Sequence, residues 1–246
     1  YNDFRWGLDI LDLDFVTYEM IGTNPNSMGH WLPPLVQANK KQSFFKIPNT
    51  IIAKVPIPLL QLTRLDYESL TPTTKTIVNQ WAIKVFGLRE EKDYFVKTGT
   101  YSSKYDFRNC HVYDPKEIME IGEYLLYIHF AALQMASPFA KPRYYGVSTT
   151  NEWVVRDYIK DMEKAPVIYK GLPLHTEYRV FIDCEQKKVL GIIPYWEPKT
   201  MKKRFEEGRD GHDVHDEIVY KAYEEKLMGR YHRNKDMIIA KVNEIL

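Results

Sequence analysis

Tyr94-Phe95-Val96-Lys97-Thr98-Gly99-Thr100-Tyr101-Ser102-Ser103-Lys104 is the stretch on which the reading of the chain turns. An apolar, aromatic segment runs into a lysine, then into small and hydroxylated residues, then into a second lysine. A strand would fix where the Lys97 ammonium emerges. Gly99 would let the backbone approach an anion, and consecutive N–H groups would point into one concavity. Taken alone, the pattern also describes a solvated Ser/Thr-rich hairpin turn flanked by lysines. It does not match the Gly-x-x-x-x-Gly-Lys-Ser/Thr phosphate loop, so its meaning depends on what the rest of the chain supplies.

The chain has 246 residues, 44% hydrophobic and 27% charged, enough for a sizeable core in one large domain or two small ones. Lys+Arg 34 against Asp+Glu 33 leaves +1, so no overall field points to nucleic acid or an acidic membrane. Any anion site must be local. Cys110 and Cys184 lack metal spacing and read as reduced structural thiols, which favours a cytoplasmic protein. No apolar run has bilayer length and no basic leader precedes one, so a membrane partner is not expected. A start at Tyr1 reads as an excised piece of a longer protein.

Outward from the quoted stretch, Asp9, Asp12 and Asp14 alternate with apolar residues. They read as a solvated strand edge or short amphipathic segment, since no calcium-loop glycine follows. Pro33-Pro34 should break any nearby helix, and Pro48, Pro56 and Pro58 should divide Ile51 to Leu62 into short extended pieces. Thr71-Pro72 opens a helix ending near Gly87, with Ile77, Trp81 and Val85 at helical spacing. Asp114-Pro115-Lys116-Glu117 opens another, whose buried face carries Ile118, Ile121, Leu125, Ile128 and Ala132 and which stops at Ser137-Pro138. His129 within it reads as a satisfied helix-face histidine rather than a base.

Glu152-Trp153-Val154-Val155-Arg156-Asp157-Tyr158-Ile159 is a strand by its β-branched and aromatic content. Glu177-Tyr178-Arg179-Val180-Phe181-Ile182-Asp183 alternates strictly, which puts Glu177, Arg179, Phe181 and Asp183 on one face. Val189 to Trp196 returns as its partner after Glu185-Gln186-Lys187-Lys188. Two helices are expected in the last fifty residues, the second after Gly229. Lys202, Lys203 and Arg204 read as a solvated face. Three cations thus stand on strands: Lys97, Arg156 and Arg179. Arg179 either pairs with Glu177 or Asp183 or awaits an external anion.

Together, the quoted stretch, the Glu152 strand and the Glu177 hairpin resemble the ATP-grasp superfamily over roughly residues 90 to 200. The likeness is to the clade named for two arginines and one lysine, which includes the eukaryotic cell-division-cycle proteins that help assemble a translation initiation factor. The resemblance implies an α+β fold with ATP held between two α+β lobes. Residues 1–90 would form an N-terminal acceptor region, 91–160 the nucleotide-binding lobe and hinge, and 161–246 an incomplete C-terminal lobe. Lys97 and Arg179 would be the catalytic cations. Lys97, Lys104, Ser102, Ser103, Arg156 and Arg179 would hold phosphates, with Glu177 beside them. Asp157, Tyr158 and Ile159 would form the hinge, the backbone at Asp157 and Ile159 meeting the adenine edge.

Mg2+ would fall to Asp183 and Glu177, because the aspartate and Glu-x-Asn strands that usually supply the metal ligands are not found before Leu246. Asn243-Glu244 has suitable residue types but sits in helical sequence. The expected activity is ATP-dependent ligation through an acyl phosphate, on an acceptor the sequence does not identify. The alternative is an assembly protein that holds ATP without ligating. An RNA-ligase-type nucleotidyltransferase fits less well, since Lys97-Thr98-Gly99 lacks that family's acid and glycine spacing.

Overall fold

The computed structural model describes residues 13–41, 44–104, 110–136, 146–208 and 213–246. Asp9, Asp12 and the helix stop at Ser137-Pro138 lie outside them. The chain is mixed α/β with antiparallel sheets. It divides into two compact units: one gathers the described residues of 1–34, 48–104 and 108–159, the other those of 35–47 and 160–246.

The first unit opens with α1 (Phe15–Gly22), capped by Asp14, whose carboxylate accepts the Thr17 N–H at 2.6 Å. Helix α2 (Met28–Asn39) runs through Pro33 and Pro34, contrary to the expected break. Interior prolines remove two backbone donors and cost on the order of 3 kcal/mol each. Anchoring of the first turn offsets part of this: Met28 N–H donates to Gly99 C=O at 3.0 Å and Gly29 N–H to the Glu152 carboxylate at 2.9 Å.

After β1 (Thr50–Lys54), the apolar run becomes helical rather than extended, as α3 (Ile57–Leu62). Pro56 is its cap residue and Pro58 lies in its first turn, where a missing N–H removes no helical bond.

Helix α4 (Pro72–Phe86) has the expected Thr71 cap and left-handed Gly87, φ 56°. Its buried face, however, is Val78, Ala82 and Phe86, while Ile77 is 54% exposed. Gly122 explains the rotation, because a Cβ there would meet the Val78 carbonyl at 2.6 Å. The two helix backbones touch at that point, and Asn79 and Glu123 exchange hydrogen bonds beside it at 2.8 and 3.0 Å.

Strands β2 (Tyr94–Thr98) and β3 (His111–Val112) follow. The capping box of Asp114 and Glu117 then opens a short helix, α5 (Pro115–Met119), which breaks at Glu120 before α6 (Ile121–Ala136). All five apolar residues expected on the buried face are buried. Strand β4 (Glu152–Asp157) lies inside an antiparallel sheet of order β1-β4-β2-β3. β1, from the first ninety residues, therefore belongs to the same sheet as the quoted stretch. One face of the sheet packs on α4 and α6 through Trp153, whose indole lies edge-on to Trp81 and donates to His129 Nδ1 at 3.1 Å. His129 is thus a satisfied core residue.

The second unit holds the hairpins β5 (Val167–Ile168) with β6 (Leu172–Pro173) and β7 (Tyr178–Asp183) with β8 (Lys188–Pro194), then α7 (Pro198–Glu206). Helix α8 (Val214–Asn243) is continuous through Gly229, not two helices. One interior glycine costs about 1 kcal/mol, which docking of the helix outweighs: Tyr220 O–H donates to Trp196 C=O at 3.0 Å and Tyr231 O–H to Ile192 C=O at 2.9 Å. Lys202 and Lys203 make exposed pairs with Glu206 and Glu207 four residues on.

Candidate anion-binding site

The register of the four-stranded sheet decides which side chains meet. Lys97 lies opposite Val154, and Phe95 opposite Arg156. Since side chains alternate along a strand, Lys97 and Arg156 share the sheet face opposite Trp153 and Val155. They are diagonal cross-strand neighbours, about 7 Å apart at Cβ.

Neither cation makes a hydrogen bond or a close ion pair among the described residues, and the Arg156 Nε is buried without an acceptor. Burial first, and then the Arg156 charge, push the Lys97 pKa down from 10.5 to about 8, while Glu152 opposes the fall. Burial lowers Arg156 as well. Two desolvated like charges side by side are unfavourable in the empty protein and favourable around an anion.

The loop after Lys97 is built differently from the expected cradle. The Thr98, Gly99, Thr100 and Tyr101 N–H groups all donate inside the protein: to Tyr101 C=O, Glu152 C=O, and, for the last two, Thr98 Oγ1. They form a closed turn and offer no nest. Ser102, Ser103 and Lys104, beyond this turn, are partly accessible. Gly99 is required for packing rather than for anion approach. A Cβ there would stand 2.6 Å from Thr150 Oγ1 and 2.8 Å from Glu152 Oε2.

At the expected hinge, the Asp157 N–H donates to Asn49 C=O at 2.9 Å and the Tyr158 N–H to Asp93 C=O at 3.0 Å. The Asp157 N–H therefore has nothing left for an adenine edge, and Ile159, 61% exposed, is the accessible part of this segment. The Asp157 carboxylate lies 3.4 Å from the Lys92 ammonium. Tyr158 stacks on His111, ring centroids 3.9 Å apart.

Arg179 lies in the second unit. Its guanidinium sits over the Tyr195 ring, 4.7 Å from the centroid, rather than on Glu177 or Asp183. It lines a cavity of about 70 Å³ with Thr200 and Arg204. Asp183 accepts the Glu185 and Gln186 N–H groups at 3.0 and 2.9 Å, closing the hairpin turn. Glu177 immediately precedes β7 and Asp183 ends it, so the two stand six positions apart along extended chain, about 20 Å. Ligands of one ion lie within about 2.6 Å of it, so these two carboxylates cannot share the Mg2+ assigned to them. Among the described residues no three of His, Cys, Asp and Glu gather as a metal site.

Sequence reasoning passed over Glu152 and His111. Glu152 was the first letter of a recognised strand, and its placement beside Lys97 was available only from the register. Both cysteines are free thiols, Cys110 buried and Cys184 exposed. No helix among the described residues is long and apolar enough to cross a membrane. Comparison with protein-family models, curated proteins and solved structures found no match for this chain.

Proposed function

We propose that this chain binds ATP in the ATP-grasp manner, with the nucleotide's phosphates on the Lys97–Arg156 face, and that it acts as an ATP-dependent ligase. The observation that carries the proposal is the side-by-side placement on one sheet face of two partly buried cations that make no hydrogen bond or ion pair among the described residues. A lone phosphate monoester would neutralise such a pair, and a polyphosphate would also reach Ser102, Ser103 and Lys104. Lysine supplies a point charge, and arginine a planar fork that binds two oxygens at once. The adenosine and the ligation rest on the resemblance over residues 90 to 200.

In that chemistry a carboxylate oxygen attacks the γ-phosphorus, ADP leaves, and an amine displaces phosphate from the acyl phosphate. The protein's part is to position groups and stabilise charge, with no nucleophile of its own. A second reading, an assembly protein that holds ATP without transferring its phosphoryl group, is favoured by the separation of Glu177, just before β7, from Asp183 at its end.

Thermal unfolding with ATP, GTP or ADP, with and without Mg2+, tests both readings. A ligand at 100 times its Kd stabilises by about 2.7 kcal/mol, which raises Tm by roughly 5–10 °C for a chain of this size. Wild type should show this shift with ATP, and Arg156→Lys should lose most of it, because an ammonium cannot reproduce the fork. No shift with any nucleotide would remove the proposal, and an undiminished shift in Arg156→Lys would remove the fork. A shift indifferent to Mg2+ would favour the assembly reading.

A further inference from the structure

Glu152 is a carboxylate only 6% exposed, on the same sheet face as two cations, and the expected chemistry gives it no role. Three donors or acceptors fix its place. Ser27 Oγ donates to Oε2, the Gly29 N–H donates to the same oxygen at 2.9 Å, and the Glu152 N–H donates to Thr150 Oγ1 at 3.1 Å. Ser27 and Thr150 are themselves buried, their hydroxyls 2.7 Å apart. The first turn of α2 thus holds the carboxylate over Gly99, where a side chain on residue 99 would otherwise stand.

Lys97 is two residues before Gly99, which directly follows β2 and continues its pairing by donating to Glu152 C=O, so the Lys97 side chain leaves from the same face about 7 Å away, within reach of its four-carbon stem. The other charged or titratable groups on this face are Arg156 on β4, Lys54 on β1 and His111 on β3, and His111 lies 3.8 Å from Asp93. Glu152 is the one carboxylate among the described residues of these strands that shares the face.

We propose that Glu152 is a positioning residue: its carboxylate, clamped by the first turn of α2, is the counter-charge that keeps the Lys97 ammonium charged and directed along the sheet beside Arg156 until an anion takes over that role. The glycine at 99 makes this arrangement fit, and Gly29 serves the same end, since a Cβ there would collide with the same carboxylate. The pull of Glu152 on the Lys97 proton, opposite in sign to that of Arg156, follows from this geometry. The proposal deepens the phosphate-site reading, but its test uses no nucleotide, so the two can fail separately.

The test is an NMR titration of the Lys97 ε-methylene in the nucleotide-free chain, assigned by its disappearance in Lys97→Met. Wild type should titrate near pH 8. Glu152→Gln keeps an acceptor for Ser27 and Gly29 but removes the charge, and should lower the midpoint by about one pH unit, a tenfold loss of proton affinity. Ser27→Ala breaks the same network without removing the charge and should leave the midpoint at or above the wild-type value. An unchanged midpoint in Glu152→Gln, or an equal fall in Ser27→Ala, would overturn the assignment. Should Glu152→Gln fail to fold, Glu152→Asp draws the charge back by one methylene. It should lower the midpoint by a smaller amount, and no change would again overturn the proposal.

Discussion

Lys97→Ala should weaken ATP binding more than tenfold and, in the same protein, leave the empty fold as stable as before or more so. The two effects share one cause. An ammonium whose pKa falls from 10.5 to about 8 on folding opposes the folded state while it is charged, by about 3 kcal/mol. The sign follows from proton linkage. The unfolded lysine holds its proton more tightly, so the penalty is fully present below pH 8 and fades as pH rises from about 8 to 10.5. Alanine removes the penalty together with the ligand contact, less the packing of the lysine stem.

A residue that merely braced the sheet would behave in the opposite way, losing stability and sparing affinity. Urea unfolding from pH 7 to 10.5, with calorimetric titration of ATP, distinguishes the two. Wild type should gain stability across the upper part of that range and Lys97→Ala should lack this gain. Unchanged ATP affinity in Lys97→Ala would remove the phosphate assignment.

Trp153→Ala should cost about 4 kcal/mol, the usual price of truncating a fully buried large aromatic. Trp153 has no exposed surface, sits on an inner strand of the sheet, and meets Trp81 with ring centroids 5.7 Å apart. Its loss also takes the indole donor from His129 Nδ1, within a core where burial already pushes the His129 pKa down to about 4. Trp153→Phe keeps most of the volume and loses the hydrogen bond, and should cost roughly half as much. Urea midpoints measure both. A loss below about 1 kcal/mol for the alanine variant would mean that the sheet and helices are not joined through this residue.

The parts of the fold that local chemistry dictates were legible in the sequence. Thr71 and Gly87 bound one helix, Asp114 and Glu117 open another, and the alternation from Tyr178 to Asp183 marks a strand. The misreadings lie where a distant partner overrides local preference. Pro33 and Pro34 are carried inside α2 because its first turn is tied to Gly99 and Glu152. The face of α4 turns by one position because Gly122 admits Val78. α8 continues through Gly229 because its tyrosines are fastened to Trp196 and Ile192.

The candidate site divides in the same way. Lys97 and Arg156 were legible as cations on strands, but their adjacency depends on a register between segments 59 residues apart. The turn after Lys97 read as an open cradle because donors can be seen in a sequence and their acceptors cannot. The assignment of one ion to Glu177 and Asp183 failed on strand length alone.

The most direct measurement is the number of protons taken up when ATP binds, obtained by calorimetry at pH 8 in buffers of different ionisation enthalpy. The empty Lys97 is about half protonated at that pH, and a phosphate beside it would complete the protonation. Wild type should therefore take up about half a proton per ATP, and Lys97→Met should take up none. Binding without proton uptake in wild type, or uptake that persists in Lys97→Met, would contradict the placement of the phosphates at Lys97.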